Sequence, residues 1–117
     1  MTTTRRRAWR LAFSVAVLVS LIVLYAPRTA GGGVPHLDKL VHALLFAALA
    51  YTGLRSGVRP VVLLLLLIAH AVSSELIQEY WLSERGGDPL DLLADLAGVA
   101  GGSAAERASW RRERPAT

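Results

Sequence analysis

Residues 61 to 69 read VVLLLLLIA. No polar residue interrupts the run, so a helix built from it is apolar on every side, as in a deep core or a membrane span. Taken from Pro60 to Leu82, the segment has 23 residues. At 1.5 Å per residue that is about 34 Å, enough to cross the roughly 30 Å hydrocarbon layer of a bilayer. Three further apolar blocks predict helices over residues 9–26, 38–54 and 89–105. The last two reach only about 25 Å and are marginal spans. Four such blocks within 117 residues, 53% of them hydrophobic, leave little room for a soluble helical domain. The expected fold is all-α: an integral membrane bundle of four transmembrane helices forming a single membrane domain over 1–117. The absence of cysteine excludes disulfides, thiol chemistry and thiolate metal sites.

Orientation is read from the cations. Arg5, Arg6, Arg7 and Arg10 precede the first span, Arg55 and Arg59 lie between the second and third, and Arg107, Arg111, Arg112 and Arg114 follow the fourth. Ten of the 13 cations therefore fall on one side, against Arg28, Lys39 and Arg85 on the other. The positive-inside rule then makes both termini cytoplasmic, and the pI near 10.3 becomes a topology signal and not a mark of nucleic-acid binding. Trp9 and Trp110 suit the inner interface, Tyr80 and Trp81 the outer one. RRRAWR followed by an apolar stretch also opens like a signal peptide, but cleavage after Ala30 would place Arg28 where a small residue is wanted. GGGVP, residues 31 to 35, reads as a flexible outer loop.

The polar residues inside these blocks are the functional candidates. Glu75 lies about 10 Å below the outer end of the third helix, and Glu75, Gln78 and Glu79 fall within about 100° of arc. An ionisable group at that depth costs a few kcal/mol, roughly 2.5–3.5 for a charge at the bilayer centre, so it should face other helices or a wet cavity. The second helix begins HLDKLVH, which stacks Asp38 and His42 on one face with Lys39 alongside. In the fourth, Asp88, Asp91 and Asp95 share a face with Gly98 and Gly102, a small-xxx-small surface that admits a close neighbour. The fourth helix should thus turn its aspartates into the bundle.

Each group also has a structural reading. Asp88 before Pro89 is a helix cap, Asp91 sits favourably in the first turn, and Asp38 is a cap for the second helix. Glu79 and Glu84 read as solvated interface charges, His70 as a packing or hydrogen-bonding residue, His36 and Arg28 as loop residues. No cap requires His42, Glu75, Gln78 or Asp95, although polar side chains do fasten membrane helices together.

The series Asp38-Lys39-x-x-His42, Glu75-x-x-Gln78, Arg85 and Asp91-x-x-x-Asp95-x-x-Gly98 resembles the VanZ-like family of small bacterial membrane proteins, over about residues 36–104. Asp95 stands where that family usually has Asn and adds a carboxylate. The resemblance implies a multi-pass protein of the bacterial cytoplasmic membrane, and its namesake is associated with low-level resistance to the glycopeptide teicoplanin.

Three mechanisms are compatible with this pattern. In the first, Lys39 and Arg85 meet an anionic lipid or cell-wall precursor headgroup while His42, Glu75 and Asp95 orient it. In the second, an intramembrane enzyme acts on a lipid-linked substrate, with His42 as general base or metal ligand and Glu75, Asp91 and Asp95 as further ligands suited to Mg²⁺ or Mn²⁺. HExxH, GxSxG and phosphate-loop motifs are all missing, so no cofactor is assigned. In the third, the polar groups serve only as a helix lock or a homo-oligomer interface. Membrane lipids are partners in every case, and nucleic acid in none.

Overall fold

A computed structural model describes residues 2–26, 37–81 and 88–115. The described residues form four helices and no strand: α1 (Thr3–Tyr25), α2 (Leu37–Arg55), α3 (Pro60–Tyr80) and α4 (Pro89–Glu113). Arg85, Arg28, His36, Glu84, Leu82 and the glycine-rich loop lie outside the described residues.

Helix ends follow local chemistry as much as hydrophobicity. The apolar block begins at Trp9, yet α1 starts at Thr3, because the Thr2 hydroxyl accepts the Arg5 N–H at 3.2 Å and arginines propagate a helix well. Pro60 and Pro89 each occupy the first turn of their helices, where the missing N–H is harmless. Asp88 caps α4 by accepting the Leu90 N–H at 2.9 Å. Between α2 and α3 the chain reverses at Gly57, whose φ of 97° suits a residue without a Cβ.

The helices run antiparallel in sequence order within an envelope of 54 × 24 × 22 Å. One end gathers the start of α1, the end of α2, the start of α3 and the end of α4. The other gathers the remaining helix ends. We call these the inner and outer ends. The closest pair is α2 with α4. A Cβ built on Gly98 would stand 2.2 Å from the carbonyl oxygen of Ala43, and one on Gly102 would stand 2.3 Å from that of Ala47. Two i, i+4 pairs of small residues therefore mesh backbone against backbone, which brings the aspartates of α4 against α2.

Apolar packing is modest. Leu24, Phe46, Leu49, Leu63, Leu67 and Val99 form most of the core, while Leu11 (68% exposed) and Leu65 (62%) point away from the protein. Ser20, His42, Arg55, Ser74, Gln78, Asp91 and Asp95 are buried. Polar groups inside and leucines outside invert the usual soluble arrangement.

Three helices, α1, α2 and α3, are long and apolar enough to cross a membrane. The expectation of four is met only in part, because α4 carries seven charged residues in its 25. It also extends well past residue 105, to Glu113.

Candidate functional site

The polar residues of α2, α3 and α4 meet at the outer end. The α2 register that meshes Ala43 and Ala47 with the α4 glycines also turns His42 onto Asp95, with Nδ1 of the imidazole 2.7 Å from Oδ1 of the carboxyl. Both side chains are essentially inaccessible, at 3% and 0% exposure. The opposite ring nitrogen, Nε2, lies 3.8 Å from Oδ2 of Asp91, beyond hydrogen-bond length but close enough for charge to be felt.

One turn nearer the surface, the Lys39 ammonium donates to Asp88 Oδ2 at 2.9 Å and to Asp91 Oδ1 at 3.4 Å, and stands 3.6 Å from Asp38 Oδ2. Asp88 is thus both the cap of α4 and the main anchor of Lys39. Hydrogen bonds from Lys39 and then from the Leu90 N–H hold the Asp88 carboxyl below the usual carboxylate range.

Glu75 enters from α3. Its Oε1 accepts the backbone N–H of Asp88, which ties α3 to the start of α4. Its Oε2 is buried without a hydrogen-bond partner among the described residues, as is Oδ2 of Asp95. Five carboxyls (Asp38, Glu75, Asp88, Asp91, Asp95) are gathered around one lysine and one histidine. The cluster is rich in acceptors and short of donors.

Gln78 does not join it. The Gln78 amide is 2% exposed, and its Nε2 donates to the Leu24 carbonyl at 2.8 Å. The last carbonyls of a helix lack partners within it, and this one is satisfied across helices. Glu75 and Gln78, three residues apart, differ by about 60° around α3. That offset suffices to send one toward α4 and the other toward α1. Glu79 is exposed. His70 lies deeper, with Nε2 3.2 Å from the Ser20 hydroxyl and its ring 5.4 Å from Phe46, and links α3 to α1 and α2.

Among the described residues no three of the histidine, aspartate and glutamate side chains are placed to hold one metal ion together. Of the ligands named in the enzyme reading, His42 spends its Nδ1 on Asp95, Glu75 spends Oε1 on a backbone N–H and Asp91 accepts from Lys39.

A second cluster closes the inner end. Arg55, 3% exposed, makes a two-pronged contact with Glu113 at 2.8 and 3.1 Å and lies 5.0 to 5.8 Å from the ring centres of Trp9, Tyr51 and Trp110. Tyr51 shares a hydrogen bond of 2.9 Å with Ser109. Bonding to Arg55 lowers the Glu113 carboxyl below its ordinary range. From sequence Arg55 reads only as a topology charge. The signal that could have found the clasp is a pair of tryptophans, Trp9 and Trp110, at the same end as an arginine that closes a helix.

No protein-family model, no curated protein and no solved structure matches this chain.

Proposed function

We propose that this is a VanZ-like multi-pass protein of the bacterial cytoplasmic membrane, with four crossing helices, both termini cytoplasmic, and an outer-end cluster that binds the headgroup of a lipid or cell-wall precursor. Three apolar helices, the exposed leucines and the buried polar residues support the membrane reading. The fourth crossing is supported by the meshing of α4 with α2, since a polar helix can cross when its charged face is covered by protein.

The observation that carries the binding role is the pair of buried oxygens without a partner among the described residues, Glu75 Oε2 and Asp95 Oδ2, within an acceptor-rich network. A buried acceptor without a donor costs about 1–3 kcal/mol, and a ligand N–H or O–H would recover it. Lys39 is already held by Asp88, Asp91 and Asp38. The cluster therefore suits the amine and hydroxyl groups of a headgroup better than its phosphate. Contact with an anionic phosphate falls to Arg85.

The His42–Asp95 pair favours one other reading. A carboxyl that fixes one imidazole nitrogen and leaves the other facing the site is the arrangement of a general base, so acid–base chemistry on a lipid-linked substrate is the alternative.

Glu75→Gln tests the site. It preserves an oxygen to accept the Asp88 N–H and replaces only the partnerless one with a donor. In a teicoplanin-susceptible host, the wild-type chain should raise tolerance and Glu75→Gln should not, at equal membrane abundance and thermal stability. Equal protection by both would remove the cluster from the function, and no protection by either would detach the chain from the namesake's phenotype.

A further inference from the structure

At the inner end, away from the acidic cluster, a cavity of about 360 Å³ lies between α1 and the α2–α3 turn. It falls within the roughly 300–1,000 Å³ range of small-molecule sites. Arg10, Phe13 and Ser14 line it from α1, and Ser56, Gly57 and Val58 from the turn. Arg6, one turn before Arg10 on the same face, lays its side chain over Gly57: Nε would be 3.6 Å from a Cβ built there. Gly57 is held there by its backbone, whose φ of 97° suits a residue without a Cβ, and Arg6 packs on the turn at ordinary contact distance.

The chemistry of the walls is divided. Neither Arg6 nor Arg10 has an acidic partner among the described residues, in contrast to Arg5, which stands 3.7 Å from Glu113, and to Arg55. The Ser14 and Ser56 hydroxyls already donate to backbone carbonyls, of Arg10 at 2.9 Å and of Gly53 at 2.7 Å. The donors free to meet a ligand are therefore the two guanidiniums, and the floor below them, Phe13 and Val58, is apolar and packs on the protein core. A planar fork of N–H groups beside an apolar floor matches a phosphate that carries a hydrocarbon body.

We propose that this recess binds a phosphate group, held by Arg6 and Arg10, and that an anionic phospholipid is the source it is shaped for, with the glycerol and upper acyl carbons over Phe13 and Val58. Under the topology proposed above, the recess opens at the cytoplasmic leaflet, where anionic lipids concentrate. Binding of phosphate itself depends only on the recess.

The test uses the full-length chain in detergent, with retention of phosphatidylglycerol measured by native mass spectrometry against phosphatidylcholine and against added inorganic phosphate. Wild-type protein should retain phosphatidylglycerol selectively. The double variant Arg6→Gln/Arg10→Gln should reduce its affinity about thirtyfold while the lipid-free melting temperature stays unchanged. Arg111→Gln/Arg112→Gln, which removes two cations of the same end from the last turn of α4, should leave binding unaltered. Arg10→Lys should lose part of the affinity, less than the double variant, since the charge remains but the fork is lost.

Millimolar inorganic phosphate that displaces the lipid and stabilises wild type but not the double variant would assign the recess to free phosphates in place of lipid. Equal loss of lipid in the Arg111/Arg112 and the Arg6/Arg10 variants would reduce the effect to overall charge and overturn the site. Unchanged retention in the double variant would overturn it as well.

Discussion

At the scale of single residues, spacing identifies faces but not neighbours. Asp38 and His42, or Asp91 and Asp95, fall on one side of their helices by arithmetic alone, and those side chains do converge at the outer end. What arithmetic omits is which acceptor each donor finds. His42 selects Asp95 at 2.7 Å over Asp91 at 3.8 Å, and Gln78 leaves Glu75 for a carbonyl of α1, because the choice depends on how helices rotate against one another. Asp95→Ala should destabilise the protein by about 1–3 kcal/mol, since it leaves the Nδ1 of a buried imidazole without a partner. Asp95→Asn, which retains an acceptor oxygen, should cost less than about 1 kcal/mol. Unfolding in detergent followed by circular dichroism would separate the two. Equal losses would mean that charge, and not the hydrogen bond, holds His42.

Between elements, small residues set the distances. The glycine spacing of α4 was legible as a close-packing surface, whereas its partner, Ala43 and Ala47 on α2, was not, since alanines lie in every apolar block. The far end of α4 was also hidden: residues 106–113 read as a charged tail, but Arg55 and the aromatic rings around it draw the helix on to Glu113. Gly98→Ala and Gly102→Ala should each cost about 1–3 kcal/mol or more, because the new methyl meets backbone and no side chain can move aside. Gly101→Ala provides the control. Nothing lies within 4 Å of its Cβ position, so that change should be neutral or stabilising by up to about 1 kcal/mol. If all three behaved alike, helix propensity and not interhelical contact would account for the glycines.

For the molecule as a whole, the helical class and three helices long and apolar enough to cross a membrane followed from continuous apolar runs, which need no partner to be recognised. The extension of the fourth helix to Glu113 and the inner clasp depend on contacts between distant residues, and no window of sequence contains them. An even number of crossings returns the chain to its starting side. Alkaline phosphatase fused after residue 117 should be inactive and green fluorescent protein fused there fluorescent, while phosphatase inserted between residues 82 and 87 should be active. An active carboxy-terminal phosphatase would leave three crossings and remove α4 from the bilayer.

The mesh between α2 and α4 also bears on how such a protein is made. With seven charges in 25 residues, α4 partitions poorly from the translocation channel into lipid unaided, whereas α1 to α3 are apolar enough to leave one at a time. In the four-crossing arrangement, the last helix enters only against the groove of Ala43 and Ala47 and beside His42, so its insertion waits for the second helix to be in place. Biogenesis is then ordered from within: a lesion in α2 would appear first as a nascent chain whose carboxy-terminal helix stalls at the channel, before any folded protein exists to be unstable.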